Sequence, residues 1–138
     1  MFLLDTNVIS ELRVGKATPS PAVRRWAASV PGNQLYLSAV SILELEIGVL
    51  MMERKDAQQG QMLRSWLGGV IKKFSSQVLP FGSTTAVLCA GMHVPDRRAE
   101  RDAMIAAAAK EHGYTIATRN TADFDDCGAQ VLNPWLAL

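Results

Sequence analysis

Met1-Phe2-Leu3-Leu4-Asp5-Thr6-Asn7 opens the chain with an apolar run that stops abruptly on a carboxylate. A strand with one wet face alternates polar and apolar residues. This run has no polar position, so it reads as a short strand buried on both faces of a parallel sheet. The chain beyond it supplies the crossovers such a sheet needs. Ser20 can cap a helix that takes Pro21 in its first turn, with Trp26 and Val30 as its apolar face. Pro31-Gly32 is a turn, and residues 34–40 read as a second strand leading into a helix capped by Ser41. Ile42, Leu43, Leu45, Ile47, Val49 and Leu50 recur there at helical spacing until charges take over at residues 53–56.

A further helix is predicted over residues 61–74, weakened by Gly68-Gly69, followed by a short strand at 77–81. Ser83 is placed as the cap of a helix that runs through Met92 to the break at His93-Val94-Pro95. The last helix covers about residues 99–112 and is stopped by Gly113, with His112 a partner for its C-terminal dipole. Residues 114–118 and 130–132 read as strands, separated by a loop at 119–126. The expected architecture is therefore α/β, a central, mostly parallel sheet flanked by helices on both sides.

With 138 residues, of which 49% are hydrophobic, the chain is expected to form one domain over residues 1–138. Its net charge of +1 gives no global basic field, so any grip on a nucleic acid must be local. Cys89 and Cys127 belong to no metal-type or redox-type pair and read as free thiols of a reducing cytoplasm. The N-terminus lacks the basic region of a signal peptide, and no uncharged apolar stretch reaches the ~20 residues that span a bilayer.

In an open parallel sheet, sites form beyond the C-terminal ends of the strands. Asp5 follows strand one, Glu44 lies early in the helix after strand two, and Asp123 lies in the loop after strand four. Asp102 starts the Ala-rich last helix, where the dipole favours its charge. If these acids converge, like charges ~4 Å apart cost roughly 4 kcal/mol per pair at an effective dielectric near 20, so a cation must lie between them. Hard oxygen donors without Cys or a placed His suit Mg²⁺ or Mn²⁺, and the natural use is hydrolysis of a phosphodiester. Thr6, Asn7, Ser38, Thr118 and Asn120 are neutral polar residues of the same layer, suited to orienting a carboxylate or a water. Arg119, and more weakly Arg97, Arg98 and Arg101, are candidates for substrate phosphates, although solvated helix-start charges are equally common.

Leu3-Leu4-Asp5-Thr6-Asn7-Val8-Ile9-Ser10-Glu11, Ser41-Ile42-Leu43-Glu44-Leu45-Glu46-Ile47-Gly48, Arg101-Asp102-Ala103-Met104-Ile105-Ala106-Ala107, Thr118-Arg119-Asn120-Thr121-Ala122-Asp123-Phe124 and Asn133-Pro134-Trp135 together resemble the VapC and FitB-like PIN-domain toxins, in order and over nearly the whole chain. The resemblance implies an endoribonuclease using Mg²⁺ or Mn²⁺, the toxin of a type II toxin-antitoxin pair. It also implies RNA as substrate, a small DNA-binding antitoxin, and a homodimer that can form a hetero-oligomer with that antitoxin. Position by position, the family's acids become Asp5, Glu44, Asp102 and Asp123. Asp125 and Asp126 compete with Asp123, which is preferred because it directly precedes Phe124, as in the family pattern.

Taken singly, each acid has a plainer reading. Asp5 could cap a turn, and Glu44 or Asp102 could be an early-helix acid favoured by the dipole, as Glu46 is taken to be. Trp26, Trp66, Met51 and Met52 could form a face for an antitoxin helix or a second subunit, though core packing is the commoner fate. A haloacid dehalogenase-type phosphatase requires a second Asp where Asn7 stands, and a response-regulator receiver needs an early acidic pair that is missing. The remaining rival is a non-catalytic PIN-like module that binds RNA or protein; such modules typically lose a metal carboxylate, and here all four are present.

Overall fold

A computed structural model describes residues 1–137. Five parallel strands, β1 (Phe2–Leu4), β2 (Leu35–Ser38), β3 (Val78–Leu79), β4 (Thr115–Ala117) and β5 (Val131–Leu132), form one sheet in the order β3-β2-β1-β4-β5. The helices are α1 (Thr6–Glu11), α2 (Pro21–Ser29), α3 (Ala39–Lys55), α4 (Ala57–Lys73), α5 (Ser83–Met92) and α6 (Glu100–His112). The predicted α/β architecture is thus present, and the sheet is parallel throughout.

The apolar opening of the chain is explained by the two cores. Leu3 packs into one with Ile105, Ala106, Ala109 and Ile116, and Leu4 into the other with Val8, Trp26, Leu37 and Leu45. Successive strand residues point to opposite faces, so a central strand covered on both sides has no place for a polar residue. Small residues at 106–109 let α6 lie close on the sheet. Gly113, at φ 70°, takes the left-handed turn that ends α6. In the other core, Phe2 meets Trp26 edge to face at 5.2 Å between ring centroids.

Four boundaries differ from expectation. Residues 6–11 form a helix, α1, with Asp5 as its N-cap accepting from the Thr6 N–H. The cap of α3 lies three residues before Ser41, because the Ser38 hydroxyl accepts from the Val40 N–H at 3.0 Å; Ser41 is buried inside the helix. Asp56 both ends α3 and caps α4 through the Gln58 and Gln59 N–H groups, so the charged stretch read as a helix end is also a helix start. Gly82, not Ser83, is the cap of α5, and its N–H donates to the Thr85 hydroxyl. The Gly68-Gly69 pair is carried inside α4, since its tertiary packing outweighs the ~1 kcal/mol cost of each helical glycine.

The hairpin of α3 and α4 is clamped where Arg64 donates to Glu46 and Glu53 at 2.6 and 2.9 Å. Near its turn the backbones nearly touch: a Cβ on Gly60 would stand 2.5 Å from the Glu53 Cα. Alanine in a helix normally gains about 1 kcal/mol over glycine. Against an immovable backbone atom, overpacking of about 1–3 kcal/mol overrides that gain. Gly60→Ala is therefore expected to lower the urea midpoint without changing the slope of the unfolding transition.

Candidate active site

At the carboxyl ends of β1 and β4 the chain departs in opposite directions, toward β2 from one strand and toward β5 from the other. Such a divergence opens a crevice beyond the strand ends. Leu4 pairs with Ala117, so the next residues on the two strands, Asp5 and Thr118, meet in that crevice. The Thr118 hydroxyl donates to Asp5 Oδ2 at 2.8 Å, and Asn7 Nδ2 donates to the same oxygen and to Thr118 Oγ1, both at 3.3 Å. The Thr6 N–H donates to Asp5 Oδ1 at 2.8 Å. Asp5 is only 6% exposed, and its close partners are neutral donors. Burial pushes its carboxyl above the usual range; the Thr118 and Thr6 bonds oppose that, while the charges of Glu44 and Asp123 add to it.

Thr6 also joins the second acid to the first. Its backbone serves Asp5 while its hydroxyl donates to Glu44 Oε1 at 2.9 Å. Asp102 enters from the first turn of α6. Its carboxyl is pushed up to about 6, first by burial and then by the charges of Asp5, Asp123 and Glu44. Three predicted acids from separate parts of the sequence, Asp5, Glu44 and Asp123, therefore bear on the fourth, Asp102. Asp125 and Asp126 are absent from the charges that act on Asp5 and Asp102, which favours Asp123 over both. Among the described residues, however, no three carboxylate, imidazole or thiol groups are already gathered at chelating distance.

The supporting residues divide. Thr6, Asn7 and Thr118 hold the acids directly, and the Asn120 N–H donates to Thr118 Oγ1 at 3.1 Å. Ser38 spends its hydroxyl on the α3 cap, so it acts on Glu44 only by fixing the start of that helix. Glu46 is turned to Arg64, in keeping with its reading as an ordinary helix acid. Among the arginines, Arg101 reaches Glu44 at 3.8 Å, a partner that sequence reasoning missed because it lies one residue from an acid and far from Glu44 along the chain. Arg97 pairs loosely with Glu100 at the surface. Arg98 lines a small cavity with Val87, Lys110 and Cys127. The Arg119 N–H donates to Asn7 Oδ1 at 3.2 Å, and its guanidinium lies 5.2 Å from the centre of the Trp135 ring.

All candidate ligands are hard oxygen donors, and their mutual charge is unfavourable without a cation. The donor set fits Mg²⁺ or Mn²⁺ on that chemistry.

Known proteins resemble this chain over nearly its whole length. Residues 2–129 match the sequence profile of the family described as PIN domain. The chain is 35% identical to the VapC ribonuclease Y4jK of Sinorhizobium fredii, covering 98% of each chain. It is 34% identical to the toxin FitB of Neisseria gonorrhoeae, over 98% of this chain and 99% of that one. Among solved structures, FitAB bound to the IR36 DNA fragment superposes with a TM-score of 0.86 at 33% identity, covering 100% of this chain and 98% of that one.

The crowding of like charges has a measurable cost in the absence of metal. A carboxyl whose folded pKa exceeds its unfolded value, near 3.8 for Asp102, stabilises fully below that value and loses the contribution as pH rises through about 6. In chelator, Asp102→Asn is therefore expected to melt at a higher temperature than wild type near neutral pH. The difference should shrink as pH falls below about 6. Thermal melts across that window provide the measurement; a neutral-pH melting point unchanged by the substitution would contradict the electrostatics.

Proposed function

Because the chain belongs to the PIN-domain family, among the VapC and FitB toxins, we propose that it is a metal-dependent endoribonuclease that cleaves RNA as the toxin of a toxin-antitoxin pair. The observation that carries this reading is that Asp5, Glu44 and Asp123 all bear on the Asp102 carboxyl, and that Glu44 and Asp123 bear on the buried Asp5 as well. These four would hold Mg²⁺ or Mn²⁺. When bound, the ion lowers the pKa of a coordinated water and offsets charge on the phosphodiester.

The chain's own residues do the rest. Thr6, Asn7 and Thr118 fix Asp5 in a single orientation, and Thr6 sets Glu44 relative to it. Asp102 and Asp123 are less buried than Asp5. The Arg101 guanidinium, 3.8 Å from Glu44, offsets part of the charge of that acid.

As partner we propose a small DNA-binding antitoxin, by analogy with the FitAB assembly that holds a DNA fragment. An apolar groove of about 600 Å³ lined by Leu12, Val30, Trp66 and Val70 suits an amphipathic segment of such a partner. Trp26, by contrast, is committed to the core. Leu43, Leu50 and Met51 stand exposed along α3 and suit a homodimer contact. No helix among the described residues is long and apolar enough to cross a membrane.

The non-catalytic alternative draws on two observations, the Arg101 contact to Glu44 and the lack of a pre-gathered chelating group. One experiment separates the readings. The purified chain should cut single-stranded RNA with Mg²⁺ or Mn²⁺ and not in chelator. Thr118→Val should lower kcat by about 10- to 100-fold, and Asp5→Asn by more. Mn²⁺ should raise the melting temperature of wild type but not of Asp5→Asn. RNA binding without cleavage in either metal would favour the non-catalytic module.

A further inference from the structure

The crevice is acidic, yet its proposed substrate is a polyanion. A chain with a net charge of +1 cannot overcome that repulsion by its overall field, so a cation must be held beside the acids without being neutralised by them. Arg119 meets this requirement in a way that its neighbours do not. Its backbone N–H is fixed to Asn7 Oδ1 at 3.2 Å, and Asn7 in turn bonds Asp5 and Thr118, so the residue sits two hydrogen bonds from the buried acid. Arg101 leans on Glu44 and Arg97 on Glu100, whereas Arg119 pairs with no carboxylate among the described residues.

An aromatic face holds it instead. The guanidinium carbon of Arg119 stands 5.2 Å from the centre of the Trp135 ring. Trp135 is itself well placed for this. It follows β5, the parallel neighbour of β4, and the Thr118 N–H donates to the Leu132 carbonyl at 2.9 Å, which sets the two exits side by side. Asn133 Oδ1 accepts from the Trp135 N–H at 2.9 Å, Pro134 is buried in the same turn, and the indole packs against the core that contains Trp26. Stacking leaves the N–H edge of a guanidinium free, so an arginine on an indole keeps its donors for a phosphate while losing few rotamers when the phosphate arrives.

We infer that Arg119, held in place by Trp135, is a clamp for an RNA backbone phosphate flanking the bond to be cut, with Arg119 as the binding residue and Trp135 as a positioning residue. The inference rests on the ribonuclease reading for its substrate but makes a separate claim, about ground-state grip rather than chemistry. Removing the clamp should weaken RNA binding and raise KM while leaving kcat nearly unchanged.

The test uses the full chain and a short fluorescein-labelled single-stranded RNA. Binding is followed by anisotropy in chelator over a range of salt, and cleavage is measured in Mn²⁺. Arg119→Gln is expected to raise Kd and KM about tenfold, the loss of one charge-assisted contact. The plot of log Kd against log salt should become shallower by about 0.7, as for one phosphate contact on a single strand. Trp135→Leu should weaken binding with less change in that slope, because the charge remains and only its placement is lost. Trp135→Phe should retain most of the affinity, since a ring face is restored.

In the double variant, Trp135→Leu should add little to Arg119→Gln. Additive losses would show instead that the indole touches RNA itself, and would overturn the positioning role. An unchanged Kd and salt slope in Arg119→Gln would overturn the clamp. Should the RNA bind in an Arg119-dependent way but never be cut, the ribonuclease proposal fails while the clamp stands. If the RNA is cut with wild-type KM in Arg119→Gln, the clamp fails alone.

Discussion

A carboxylate at 6% exposure, with neutral hydrogen-bond donors as its close partners, is the constraint around which this molecule is arranged. Burying Asp5 without partners would cost several kcal/mol, so the fold must bring donors to it from outside its own strand. It does so by pairing β1 with β4, which places Thr118 opposite, and by bending the chain after Asp5 into α1, which turns the Thr6 N–H onto it. The same residue therefore caps a helix, closes two strand ends and forms the floor of the crevice. A substitution there acts on folding and function together, which is why the proposed catalytic tests also read metal-linked stability and RNA binding.

The strands and the Ala-rich helix were legible because their pattern is local: an apolar run with no polar position, or a run of small residues stopped by a glycine. Three of the four misplaced boundaries have a common cause. Asp5, Ser38 and Asp56 each serve two elements at once, ending one and capping the next, and a reading that gives every residue one role shifts the border by a few positions. Ser38 and Ser41 are equally good caps by residue type, and only the packing of Ser41 into the interior decides between them. The proposed acids could be picked out because strand ends and motif order mark them. The Arg101–Glu44 and Arg119–Trp135 contacts could not, since each joins residues whose nearness is set by the sheet order alone.

Helical geometry explains how α3 contributes to both architecture and chemistry. Glu44 and Glu46 are separated by about 200° around the axis, so they face opposite ways. Glu46 turns to Arg64 on α4 and stiffens the hairpin, and Glu44 turns to Thr6 and the crevice. The ion pairs of Arg64 are half exposed and individually worth little, which leaves the close backbone approach at Gly60 as the stronger determinant of how α4 lies on α3.

The crevice combines two acids held by hydrogen bonds, Asp5 and Glu44, with two for which no side-chain hydrogen bond is formed among the described residues, Asp102 and Asp123. Full rigidity at chelating distance would hold several like charges together in the metal-free chain, and the repulsion between even one such pair is comparable to a large share of a small domain's stability. Full freedom would impose the entropy of ordering every ligand when the ion arrives. Anchoring Asp5 while leaving Asp102 and Asp123 less buried limits both costs, and the Arg101 contact lowers the first further by shielding Glu44. On this account the absence of a pre-gathered chelate is the state expected of a carboxylate site without its cation. The hydrogen bonds to Asp5 would give the other acids a fixed point against which to gather on a cation.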